Sequence, residues 1–89
     1  MKNSKQYFRK ATELNPKSEL ASMGLYLSLI KSGEYSNGIN ELKRYLEIYP
    51  ADMYRDTLEE LMGDINDGFA WKYKDIILEL AVKNGTKQM

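Results

Sequence analysis

Apolar residues recur along this chain at steps of three and four, the period of an amphipathic helix, and nowhere alternate with polar residues over the length of a strand. The spacing predicts about five helices joined by short turns. Tyr7, Phe8, Ala11 and Leu14 mark a short opening helix. Leu20, Met23, Leu27 and Ile30 mark the second, with Leu25 and Leu29 widening its stripe. Ser18 is placed to cap the start of that helix, and Ser32-Gly33 to end it with a residue suited to the left-handed C-terminal position. A third helix runs through Ile39, Leu42, Tyr45, Leu46 and Tyr49. A fourth, capped by Asp52, carries Leu58, Leu61, Met62 and Ile65 and stops near Asn66-Asp67-Gly68. The last carries Phe69, Trp71, Tyr73, Ile76, Ile77 and Leu80 to Asn84-Gly85. Pro16 and Pro50 each stop the helix before them, because the residue ahead of a proline is pushed out of the helical region. The expected class is all-α.

The order helix, Gly turn, helix, Pro turn calls for a search for repeats. Aligned on Pro16 and Pro50, an offset of 34 residues, Leu14 pairs with Ile48, Glu13 with Glu47, Ala11 with Tyr45 and Phe8 with Leu42. Residues 19–52 carry the fuller pattern: Leu25, then Leu29, a Gly33-Glu34-Tyr35 turn, the small Gly38, then Leu42, and Pro50 to close. This unit resembles the tetratricopeptide repeat (TPR), whose pattern runs W-x2-L-G-x2-Y, A-x3-F, P. Leu29 stands in place of the pattern Tyr and Leu42 in place of the Phe. Ser22 stands where Trp is usual, and Tyr26 and Tyr45 fill positions the family keeps small. The resemblance implies antiparallel helix pairs stacked as a short TPR-like solenoid in a single domain, residues 1–89. Residues 4–16 would be a half repeat, 19–52 the central repeat, and 53–84 a degenerate or capping helix pair.

Composition narrows the chemistry. The chain has 89 residues, 43% apolar and 29% charged, which suits one small globular domain. Cys and His are both absent, so disulfides, thiol catalysis, Cys- or His-ligated metal sites and His-dependent triads are ruled out. No apolar run approaches the roughly 20 residues of a membrane span, and no apolar stretch follows the first charges as in a secretory leader. A cytoplasmic location is the resulting expectation. Thirteen basic residues balance thirteen acidic ones, which argues against a nucleic-acid partner. The charge is unevenly spread: residues 1–17 hold five basic residues and one acidic, residues 51–67 one basic and six acidic. Two copies steered head to tail, or compensation within one chain, are equally expected from that asymmetry.

Asp52, Asp56, Glu60 and Asp64 stack on one helical face at steps of four. A solvated face is the expected role. Asp56, Glu60 and Asp64 are the residues for an acidic partner surface, and an Mg2+ or Ca2+ site is the less favoured alternative. Asp64-Ile65-Asn66-Asp67-Gly68 lacks one residue of the EF-hand order before its Gly and has no closing Glu. Tyr26, Tyr35, Tyr45, Tyr49, Tyr54, Trp71 and Tyr73 are expected to fill gaps between helices. No catalytic constellation emerges, so no enzyme activity and no cofactor are expected. In the TPR family the first helix of each pair lines a concave groove. Carried over to this chain, that face comprises Leu20, Met23, Gly24, Leu27, Ile30 and Lys31. The Lys, Asn and Arg with which chaperone-binding members clamp a terminal carboxylate are missing there. An apolar groove suits a helical or hydrophobic segment of a protein or peptide partner. The competing expectations are that the chain's own helices cover this face, or that the chain is an assembly element, part of a longer array or self-associating.

Overall fold

The computed structural model describes residues 4–85. It is helical throughout, with no strand among the described residues. The helices are α1 (Ser4–Leu14), α2 (Glu19–Lys31), α3 (Tyr35–Ile48), α4 (Tyr54–Gly63), α5 (Gly68–Lys72) and α6 (Lys74–Lys83). The chain divides between Tyr49 and Pro50 into two compact units.

In the first unit the local signals behave as their chemistry requires. The Ser18 side chain accepts a hydrogen bond from the Ala21 N–H at 3.1 Å and so satisfies one orphan donor of α2. At the other end Gly33 takes φ of 82°. Its N–H reaches the Ile30 carbonyl at 3.0 Å while the Glu34 N–H reaches that of Leu29 at 2.8 Å. This is the Schellman pairing, and it turns the chain sharply into α3. α1 and α3 both end two residues short of a proline, at Leu14 and Ile48.

Helix α2 packs against α1 and against α3. Two glycines set how closely. The ring of Phe8 in α1 occupies the space where a side chain at Gly24 would stand. The Ile30 side chain likewise reaches 2.7 Å from the position a Cβ at Gly38 would take. Leu25, Tyr26 and Leu29 from α2 and Ile39, Leu42, Tyr45 and Leu46 from α3 are buried. The polar tip of Tyr45 is satisfied by donation to the Lys17 carbonyl at 3.1 Å.

The second unit packs α4 on α6, with α5 as a short link. Ala51, Tyr54, Leu58, Leu61, Ala70, Ile77, Leu80 and Ala81 are its buried apolar residues. Asn84, the C-cap of α6, ties the two ends of this unit together. Its Oδ1 accepts from the Ala51 N–H at 2.9 Å, and its Nδ2 donates to the Leu80 carbonyl at 2.8 Å.

Four expectations need correction. There are six helices among the described residues, because the last expected one breaks at Tyr73. The Tyr73 N–H closes α5 on the Phe69 carbonyl, and its own carbonyl opens α6 to the Ile77 N–H. Phe69, Trp71 and Tyr73 crowd three aromatic side chains into five positions, each losing rotamer freedom in a helix. The N-cap of α4 is Met53 rather than Asp52, and the helix stops at Gly63, so Ile65 lies in the turn. Trp71 and Tyr35 do not fill gaps: they are 52% and 42% exposed. The Lys74 ammonium sits 4.2 Å from the Trp71 ring centroid, so the indole meets a cation at the surface.

Leu42 is fully buried, and Leu42→Ala removes its methyl groups from a close-packed helix interface. The expected loss is about 2–5 kcal/mol, seen as a lower midpoint in urea or thermal unfolding followed by circular dichroism.

Candidate interaction surface

Helix α2 is apolar round nearly its whole circumference, a composition that normally belongs to a helix covered on all sides. Here the cover is incomplete. Ala21, Ser22, Leu25, Tyr26 and Leu29 turn inward and are buried. Leu20 and Leu27 remain 65% and 49% exposed, and Lys31 is exposed beside them. Met23 and Ile30 are half-buried, Ile30 because it packs on Gly38. Gly24 belongs to the α1–α2 contact rather than to an open surface, since Phe8 sits over it. The open strip is therefore Leu20, Met23 and Leu27, with Ile30 and Lys31 at its end.

The opposite side of α2 carries polar chemistry that sequence reasoning missed. Ser22, at the position where Trp was expected from the repeat pattern, is fully buried and donates to Glu41 Oε2 at 2.6 Å. Arg44 grips the same carboxylate as a fork, Nε to Oε1 at 2.9 Å and Nη2 to Oε2 at 2.6 Å. A buried carboxylate needs such pairing, because removing it from water costs several kcal/mol. The signal was present: Glu41 falls inside the apolar frame of Gly38, Ile39, Leu42 and Tyr45, where a small partner at Ser22 leaves it room. Above Leu25 and Leu29 a cleft of about 360 Å³ opens between Arg9 of α1 and Asn37, Asn40, Glu41 and Arg44 of α3.

The turn between α2 and α3 is fastened to α1 by charge. Lys5 forms an ion pair with Glu34, whose carboxylate also accepts from Asn37 Nδ2 at 3.1 Å and Ser32 Oγ at 3.0 Å. The Lys5 bond, then those from Asn37 and Ser32, hold the Glu34 carboxyl down from its ordinary value of 4.5 to about 2.

In the second unit Asp56 and Glu60 lie exposed on α4, and Asp64 is exposed at its C-cap. Among the described residues no three acidic side chains converge closely enough to hold a metal ion.

Set against known proteins, the chain matches no family model, and neither a curated protein nor a solved structure is detectably similar to it.

The Glu34 geometry makes a pH prediction. A carboxyl whose value is lower folded than unfolded stabilises the fold above the unfolded value, and that contribution disappears as pH falls through the folded one. The chain should therefore lose a share of its stability between about pH 4.5 and about pH 2. Glu34→Gln should lower stability at neutral pH and flatten this part of the profile, as measured by urea midpoints across pH.

Proposed function

We propose that the chain is a non-catalytic protein-interaction module, with the outer strip of α2 as its binding face. The partner is a helical or hydrophobic segment that lays its apolar side chains against Leu20, Met23, Leu27 and Ile30. The observation that carries this reading is the exposure of Leu20 and Leu27 on a helix that is apolar round nearly its whole circumference. Covering such a strip removes apolar surface from water at about 25 cal/mol per Å². Met23 adds a flexible thioether that can follow differently shaped partners.

The repeat reading belongs to the same proposal. α1 is read as the second helix of a half repeat, and α2–α3 as a TPR-like pair, stacked in the manner of a short solenoid. Support comes from the two proline stops 34 residues apart, from Gly33 at the inter-helix turn, and from the close approach at Gly38. The buried Leu25, Leu29 and Leu42 sit where the pattern places its large apolar residues. Fluorescence anisotropy with a panel of amphipathic peptides, anchors at i, i+3, i+4 and i+7, tests the binding face. Leu27→Lys should abolish binding while shifting stability by less than about 1 kcal/mol. A wild-type chain that binds none of the panel, or a Leu27→Lys variant that unfolds, overturns the proposal.

A further inference from the structure

The chain carries two Asn-Gly pairs, Asn37-Gly38 and Asn84-Gly85. In such a pair the glycine nitrogen can attack the side-chain amide carbon of the asparagine, because glycine has no Cβ to block the approach. The bond from Cγ to the glycine nitrogen forms and the bond from Cγ to Nδ2 breaks. Ammonia leaves with the proton that the glycine nitrogen gives up, and water opens the resulting cyclic imide to aspartate or isoaspartate. The step needs a glycine N–H released from its hydrogen bond and an asparagine backbone able to rotate.

The fold opposes this at both pairs, but unequally. Gly38 lies in α3, where its N–H donates to the Glu34 carbonyl at 2.9 Å and the Ile30 side chain closes over it. Releasing it means parting α2 from α3, which carry the buried residues of the first unit. Asn84-Gly85 stands at the C-terminus of α6, where Gly85 is exposed, has φ of 74° and donates its N–H to the Val82 carbonyl at 3.1 Å. Releasing that bond takes only fraying of a helix end, which lies at the low end of the range of local opening free energies.

The Asn84 amide is also the clasp of the second unit. Its Nδ2 donates to the Leu80 carbonyl and its Oδ1 accepts from the Ala51 N–H. A carboxylate only accepts, so conversion removes the bond to Leu80 and sets a negative oxygen against that carbonyl. The new charge also falls at the negative end of the α6 dipole. Isoaspartate adds a carbon to the main chain and so moves the acceptor that Ala51 uses.

We propose that Asn84-Gly85 is a deamidation site gated by fraying of α6, and that its conversion to aspartate or isoaspartate releases the clasp of the second unit irreversibly. Asn37-Gly38, the same dipeptide under a packed helix crossing, is its internal control.

The wild-type chain is aged in mildly alkaline buffer, folded or in concentrated urea, and its proteolytic peptides are resolved by chromatography and mass spectrometry. In urea the two pairs should convert at similar rates. In the folded chain Asn84 should convert at least about tenfold faster than Asn37. Asn84→Asp should keep the helical circular-dichroism spectrum and lower the urea midpoint followed by fluorescence of the sole tryptophan, Trp71, which lies in the second unit. The deamidated fraction of aged wild-type chain, separated by ion exchange, should show the same lowered midpoint. Equal protection of the two pairs, or faster conversion of Asn37, overturns the proposal. So does a deamidated fraction or Asn84→Asp variant with the wild-type midpoint, the result expected if Arg55, on the Asn84 carbonyl at 3.3 Å, took up the new carboxylate.

Discussion

Everything in the first unit depends on one helix having more apolar surface than its neighbours can cover. α2 packs on both adjoining helices and buries Leu25, Tyr26 and Leu29, and the approach of those helices is set by glycines at the crossings. Gly24 admits the Phe8 ring and Gly38 admits Ile30. A methyl group at either crossing forces helices apart or drives a side chain from its rotamer, because interiors are packed to crystal density. The same contacts that seat α1 and α3 on the inner arc of α2 leave Leu20 and Leu27 on the outer one. Exposure there follows from the geometry of packing two neighbours on one side of a helix that is apolar round nearly its whole circumference.

Polar groups are handled by enclosure rather than avoidance. Glu41 is buried among apolar side chains yet receives three hydrogen bonds from Ser22 and Arg44. Replacing any donor leaves part of a carboxylate dry, the costly half of the asymmetry between making and losing a buried bond. At Ser22 the space between α2 and α3 goes to a charge and its partners. Tyr45 follows the same rule, with its ring buried and its hydroxyl donating to Lys17.

Legibility tracked the range of the interaction. Ser18, Gly33 and the two prolines act within a few residues, and their capping and stopping roles were readable as local chemistry. The all-helical class was readable from period alone. Which arc of α2 faces inward was not, because a helix apolar round nearly its whole circumference gives no phase; the inward arc is decided by Phe8 and by α3, distant in sequence. The Tyr73 break was hidden for a related reason. Phe69, Trp71, Ile76, Ile77 and Leu80 keep a helical spacing across it, and only the crowding of aromatics hints that propensity fails there. Trp71 was misread because size suggests burial, whereas its ring lies at the surface beside Lys74. At the candidate surface, Leu20 and Leu27 were named through the repeat resemblance rather than from the period; the buried Glu41 was signalled only by its place in an apolar frame, and the cover of Phe8 over Gly24, sixteen residues away, left no local signal.

The second unit shows how a short segment without cysteines closes on itself. Its buried set is small, and Tyr54, Leu58 and Ile77 are its fully enclosed large side chains. Units of this size bury a modest fraction of their surface and usually need an additional constraint. Asn84 supplies one without covalent chemistry: a single side-chain amide accepts from Ala51 at the start of the unit and donates to Leu80 at its end. Arg55 adds a second link to the same residue, Nη1 to the Asn84 carbonyl at 3.3 Å. The clasp works because Ala51 follows Pro50, whose ring fixes one backbone angle and lowers the entropy lost when the entry strap is held. Pro50 thus acts twice, ending α3 on one side and presenting the Ala51 N–H to Asn84 on the other.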